Sequence, residues 1–145
     1  MIRILCVGKI KENYLKELIS DYVTRINKYH KLEIIEVKDS EDIKKETTEI
    51  LKYFNEKHFN IACVINGNNY DSISFSRHID ELFNVNSNIN FIIGGSNGIE
   101  DVILNKCDEY ISFSKFTFPH GLFRGILLEQ IYRTFKINNN ERYHK

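Results

Sequence analysis

Two periodicities of apolar and polar positions take turns along the chain. Ile2–Val7 is a short, mainly apolar run ending at Gly8, the pattern of a buried strand. Leu15, Leu18, Ile19, Tyr22, Val23 and Ile26 then recur at helical spacing and predict an amphipathic helix over Lys11–Tyr29. Leu32–Val37 is rich in β-branched residues and predicts a second strand, and Ile43, Ile50, Leu51 and Phe54 predict a second, more polar helix. Ile61–Ile65 predicts a third strand closed by an Asn66-Gly67 turn. Phe75, Ile79, Leu82 and Phe83 predict a short helix capped by Ser72 or Ser74. Ile89–Ile93 predicts a fourth strand running into Gly94-Gly95, Val102–Leu104 a short helix, and Tyr110–Phe113 a fifth strand. The last helix is expected to start near Pro119, a residue suited to a first turn. It carries Leu122, Phe123, Ile126, Leu127, Ile131 and Phe135, and the polar stretch Asn138–Lys145 follows.

Strands separated by helices predict an α/β fold: a largely parallel sheet with helices on both faces. The 145 residues suit one domain, 1–145, with no internal repeat or linker. Ten Phe and eight Tyr supply large buried areas for its core. No apolar run approaches the ~20 residues that span a bilayer, and the start of the chain has no signal-peptide pattern. Cys6, Cys63 and Cys107 are odd in number, far apart and without CxxC spacing. Those features predict a cytoplasmic protein with no disulfide framework, no metal and no membrane partner.

Net charge is zero, but its distribution is uneven. Residues 1–30 carry six Lys/Arg against three Asp/Glu, residues 31–110 eight against fifteen, and residues 115–145 six against two. Basic ends beside an acidic middle fit a local phosphate-binding face on a neutral body, and fit ordinary solvated faces equally well.

Ligands of open α/β sheets bind beyond the carboxyl ends of strands, which directs attention to two loops. Phe91-Ile92-Ile93-Gly94-Gly95-Ser96-Asn97-Gly98-Ile99 holds three glycines in five positions, allowing tight turns and close backbone approach to a ligand. It matches neither GxGxxG nor the phosphate loop, and a plain strand-to-helix turn also explains it. Ile111-Ser112-Phe113-Ser114-Lys115-Phe116-Thr117-Phe118-Pro119-His120 joins hydroxyls and aromatics at a helix start, suited to a planar base or, alternatively, to core packing and caps. The tail Glu141-Arg142-Tyr143-His144-Lys145 combines cations, a phenol and an imidazole, suited to phosphate contact, stacking and proton transfer. His30, His58 and His78 have no metal-ligand spacing and read as surface residues, and Glu129 and Gln130 read as exposed or as a subunit contact.

Taken together these stretches resemble the RlmH family, SPOUT-class methyltransferases acting on N3 of a pseudouridine in 23S ribosomal RNA. The resemblance runs through Val7-Gly8-Lys9, Tyr14-Leu15, Leu32–Val37 and Ile93–Gly98 to Ser112–His120, Glu129-Gln130-Ile131-Tyr132-Arg133 and Tyr143-His144-Lys145. It departs at Cys63, Gly121, Gly125 and Arg142, where the family commonly has other residues. The resemblance implies a C-terminal deep trefoil knot, a feature that periodicity does not reveal. It implies S-adenosyl-L-methionine as methyl donor, held by backbone at Cys63, Gly94 and Phe113, Ser114, Lys115, Phe116, Thr117 and Phe118. His144 is then the expected proton acceptor, Tyr143 positions the base, and Arg124, Arg142 and Lys145 hold RNA phosphates. A homodimer built around the last helix and 23S rRNA within the ribosome are the expected partners. The rival readings are a non-catalytic RNA- or ribosome-binding module and a nucleotide-binding regulator.

Overall fold

Strand β1 (Ile2–Val7) is buried almost throughout because it lies inside a sheet, with a neighbour on either side. The computed structural model describes Met1–Lys145 as β1, α1 (Asn13–Asn27), β2 (Leu32–Val37), α2 (Ile43–Tyr53), β3 (Phe59–Asn69), α3 (Ser72–Val85), β4 (Ile89–Ile93), α4 (Asp101–Leu104), β5 (Glu109–Ser112) and α5 (His120–Asn138). The strand order is β2-β1-β4-β3-β5 and every pairing is parallel. One face is covered by α1, α3 and α5, whose Ile19, Ile26, Phe75, Ile79, Leu127 and Ile131 pack on Ile4, Ile61 and Phe91. The other face is thinner: Ile50 of α2 and Ile103 of α4 cover Leu5, Val7 and Ile92. No helix is long and apolar enough to cross a membrane.

Three local features depart from the sequence expectation. The first is Asn66-Gly67, which is not a turn. β3 continues to Asn69, and both Cys63 and Asn68 pair with Ile111 of β5, so residues 64–67 leave the ladder and rejoin it. Gly67 passes so close to β5 that a Cβ there would stand 2.7 Å from the Ile111 carbonyl carbon. Contact between two backbones, rather than a reversal of direction, explains the glycine. The second is the cap of α3. Asp71 is the N-cap and accepts from the Ser74 amide at 2.7 Å, while the Ser74 hydroxyl accepts from the Asp71 amide at 3.0 Å. This reciprocal box uses the carboxylate where sequence reasoning chose a serine.

The third departure concerns α5. Its apolar arc is wide because two helices share it: α1 packs on one side and α3 on the other. Leu127, Leu128, Ile131, Tyr132 and Phe135 are thereby buried within one chain, while Leu122 remains exposed. Gly121 and Gly125 let the helices approach closely. A Cβ at Gly125 would stand 2.8 Å from Leu18 Cδ2, and one at Gly121 3.0 Å from Ile10 Cδ1.

The histidines read as surface residues are tied into the structure. His58 Nδ1 lies 3.3 Å from Asn90 Oδ1, and His78 Nε2 is 2.8 Å from Glu109, stacked on Tyr70. His30 stacks on Phe83 with ring centroids 4.6 Å apart and on Phe135 at 5.9 Å. Burial pushes its pKa below the ordinary imidazole value. The unfolded chain therefore takes up the proton first. Stability is full above the ordinary histidine range and falls as pH drops through it toward the lowered folded value. In urea titrations His30→Phe should flatten this acid-side loss, and an unchanged slope would contradict the assignment.

Candidate active site at the carboxyl ends of β3, β4 and β5

The middle of the sheet ends in a cavity of about 910 Å³, near the upper end of the roughly 300–1,000 Å³ typical of small-molecule sites. Three strand ends build it. Cys63 to Asn66 of β3 form one wall, the Gly94–Gly98 loop after β4 a second, and Phe113–His120 after β5 a third. Ile111 and Phe123 add apolar surface.

Each wall is fixed by short-range bonds. Gly98 donates to the Gly95 carbonyl at 3.0 Å and closes the glycine loop, and Gly98 has φ of +77°. Asn97 Nδ2 donates to the Ser40 carbonyl, pinning the loop to the segment before α2. A Cβ at Gly94 would lie 2.6 Å from the Gly98 carbonyl oxygen, so this glycine serves loop closure first. In the third wall the Ser112 hydroxyl donates to the Ser114 carbonyl, and the Ser114 hydroxyl accepts from the Phe116 amide. The hydroxyls thus shape the turn, while Phe116 stands 79% exposed at the rim. Phe113 packs edge-on against Phe123 at 5.1 Å, and Phe118 stacks on the same ring at 6.5 Å. These walls suit a ligand with a planar apolar part and a polar edge read by backbone groups.

Most residues singled out in the sequence come together here. Cys63, Gly94, Phe113, Ser114, Phe116, Thr117 and Phe118 all line the cavity, and Lys115 of the same loop does not. Burial, then the nearby Cys107 sulfur, pushes the Cys63 thiol up to about 12. It stays protonated at neutral pH and is no nucleophile. No cluster of three His, Cys, Asp or Glu residues could hold a metal ion.

Arg124 departs from expectation. It is not at the surface: only 2% of its side chain is exposed. Its Nη1 donates to Glu36 Oε2 at 2.6 Å and its Nη2 to the Gly8 carbonyl at 3.1 Å. The same Glu36 oxygen accepts from the Ile10 amide at 3.2 Å. Arg124 therefore holds the β1–α1 loop against α5, and its charge is spent on Glu36 rather than on phosphate. Glu36→Leu strands a buried guanidinium and should cost about 3 kcal/mol, near the low end for a broken buried pair. Arg124→Met should cost roughly 1 kcal/mol, because Glu36 can turn to solvent. Equal losses in urea unfolding would contradict this asymmetry.

The tail lies apart from the cavity, none of whose walls includes residues 129–145. Tyr143 donates to Glu129 Oε1 at 3.0 Å and packs edge-on against Tyr132 at 5.0 Å. Burial, then hydrogen bonding to Tyr22 and Glu129, holds its phenol above the ordinary value, so it remains a donor. Arg133 pairs with Glu129 at 2.7 Å, lies over the Tyr143 ring at 4.7 Å, and sits 3.1 Å from His144 Nδ1. Arg142 and Lys145 are exposed. Sequence reasoning missed the fastening of the tail by Glu129 and Arg133. Their i,i+4 spacing on one helix face was the available signal. It also left Pro119 and His120 out of the residues expected to hold the donor, although both line the cavity.

The family described as Predicted SPOUT methyltransferase matches residues 1–144. The ribosomal RNA large subunit methyltransferase H of Fusobacterium nucleatum is 44% identical over 153 aligned residues, covering 99% of each chain. The protein of that name from Caldicellulosiruptor saccharolyticus is 41% identical over 154, covering 100% of each. Among solved structures, a probable methylase family protein from Haemophilus influenzae superposes with a TM-score of 0.61 at 12% identity, over 99% of this chain and 70% of that one, which speaks to fold alone. With its strand order, its cavity and full-length similarity all on record, the chain belongs to the SPOUT methyltransferases, in the family of ribosomal RNA large subunit methyltransferase H.

Proposed function

We propose that this protein transfers a methyl group from S-adenosyl-L-methionine to N3 of a pseudouridine in 23S ribosomal RNA, as a cytoplasmic homodimer acting on the assembled ribosome. The observation that carries the reading is the convergence of the Gly94–Gly98 loop and the Phe113–His120 segment on one cavity. Its size and its walls of backbone and aromatic surface fit the donor, whose sulfonium supplies an activated methyl group. Cys63, Gly94 and the Phe113–Phe118 segment would hold it, chiefly through backbone, with Lys115 at the rim. The reading includes a C-terminal trefoil knot, supported by the match of the SPOUT methyltransferase family to residues 1–144.

Alignment supplies much of such a transfer, because a donor and acceptor held at ~3–3.5 Å need little further help. The chain's own part is to bind, orient and move one proton, the imide proton of N3. Tyr143 and His144 belong to that part. Since the tail lies outside the cavity of its own chain, a second copy is what brings them to the donor. Leu18 and Tyr14 of α1 and Leu122 of α5 are exposed apolar side chains available to that copy, and a two-fold pair is the commonest arrangement. Arg142 and Lys145 then meet phosphates. Few such contacts are available on a neutral body, so free RNA should bind weakly and the folded ribosome should supply the specificity.

The test is methyl transfer from tritiated donor to ribosomes and to 23S transcript, paired with calorimetric titration of the donor and its demethylated product. Saturable donor binding and labelling of ribosomes over transcript are expected. Binding of neither compound would favour a non-catalytic ribosome-binding module, and labelling of another ribosomal position would refute the N3 assignment.

A further inference from the structure

Resting on the methyltransferase reading above, we propose that His120 takes the N3 proton and that His144 is set as a hydrogen-bond donor. Four of the five imidazoles are engaged within the chain: His30 with the Lys31 carbonyl, His58 with Asn55 and Asn90, His78 with Glu109, and His144 with Arg133. His120 alone has no hydrogen-bond partner, and it alone lines the cavity. The other ionisable side chains on those walls are Cys63 and Tyr110, and the remaining polar ones, the Ser96, Ser114 and Thr117 hydroxyls and the Asn66 amide, are far weaker bases than an imidazole. The Cys63 thiol is locked in its protonated form by burial, and the Tyr110 hydroxyl donates to the Leu104 carbonyl at 2.7 Å. His120 is left as the one imidazole base on the walls of the site.

His144 is prepared for the opposite task. A guanidinium only donates, so the 3.1 Å approach of Arg133 Nη1 makes Nδ1 of His144 the acceptor and leaves its proton on Nε2. A second proton on that ring would break the bond and set two positive charges side by side. The tail therefore presents an N–H, suited to a carbonyl oxygen of the base, where negative charge gathers as N3 loses its proton. Two groups of one residue type are thus sent to different roles by their neighbours.

The setting of His120 agrees with this role. It opens α5, and its Nε2 would be 3.9 Å from a Cβ on Gly8, whose φ of +90° keeps that position free of a side chain. Asp39 Cβ stands equally close to that Cβ position, the adjoining loops also carry Lys9, Lys11, Glu12, Lys38, Glu41, Asp42 and Lys115, and Arg124, one turn on, is paired with Glu36. In the step itself the N3 proton passes to the His120 nitrogen. The N3 electron pair forms the new bond to the methyl carbon, and the carbon–sulfur bond breaks with its pair going to sulfur. The imidazolium then returns its proton to water, and the atoms and charges balance.

The test compares full-length His120→Gln, His120→Ala and His144→Gln with the wild type in single-turnover transfer to ribosomes between about pH 5 and 9. Each His120 variant should lose about 10²–10⁴-fold in rate, with donor affinity unchanged and the acid limb of the pH profile gone. Imidazole added to His120→Ala should restore at least part of that rate, which a purely structural loss would not allow. His144→Gln should be slower with its acid limb intact. If the wild type transfers no methyl group, the methyltransferase reading itself falls. If it does and His120→Gln keeps its rate and its acid limb, the His120 assignment is overturned. Nitrogen-15 NMR of the wild type decides independently of folding in the variants. The demethylated donor should move the His120 signals, and His144 should carry its proton on Nε2. Unmoved His120 signals, or a proton on Nδ1 of His144, would overturn the inference.

Discussion

Deleting Arg142–Lys145 should lower the proposed methyl transfer to ribosomes by about 10²–10⁴-fold, while affinity for S-adenosyl-L-methionine should stay within about threefold, because no tail residue lines the cavity. The deletion removes Tyr143 and His144, the two groups proposed to meet the base, with the exposed cations Arg142 and Lys145. It also removes the Tyr143 ring from Tyr132 and from beneath Arg133, a loss of about 1–2 kcal/mol in stability. Donor titration and transfer are therefore compared well below the melting temperature of the shortened chain. Turnover at the full-length rate after deletion would remove the tail from the reaction. Loss of donor affinity in parallel would place the tail in the donor site instead.

The second large effect concerns stability. Gly67→Ala should cost about 3 kcal/mol, at the upper end for overpacking, and lower Tm by roughly 10 °C for a domain of this size. A Cβ at this position meets only backbone: the Ile111 carbonyl carbon at 2.7 Å, and the Ile111 nitrogen and Tyr110 carbonyl carbon at 2.8 Å. No flexible side chain can yield there. Gly125 offers the contrast, because its Cβ would meet only the far end of the half-exposed Leu18 side chain. Gly125→Ala also gains up to about 1 kcal/mol of helix propensity. It should be close to neutral, and calorimetry on the two variants separates the cases. Equal melting temperatures would refute the claim that β3 and β5 touch backbone to backbone.

The parts of this fold with strong periodicity were legible before any coordinates. β1, β2 and β4 fall at the expected residues because each is a short run rich in apolar or β-branched residues. Helix ends were less legible, since Asp71 and Ser72 both satisfy cap chemistry and only geometry chooses between them. Asn66-Gly67 misled because the pair that best signals a turn also suits two backbones in contact. The cavity walls were legible as loops following strands. Arg124 was not, since an arginine on a basic segment gives no sign that Glu36, eighty-eight positions away in sequence, has drawn it inside. The same holds for the Arg133–His144 approach: residue types were readable, and the tautomer that their proximity sets was not.

The double pairing of Ile111 also bears on how the cavity moves in time. β5 lies at the end of the strand order, yet it is bonded to β3 on both sides of the residue 64–67 excursion. It cannot fray residue by residue as a free edge would, because releasing it requires the excursion to open as well. Amide protons of β5 should then exchange with solvent only in large-scale opening, at rates near those of the central strands. Phe113 follows directly on that strand, so one wall of the cavity is anchored to a slow element. Rim side chains such as the exposed Phe116 reorient in nanoseconds or faster. Entry and escape of a ligand are thereby assigned to side-chain motion at the mouth, and the residence time of a bound ligand is decoupled from the lifetime of the fold.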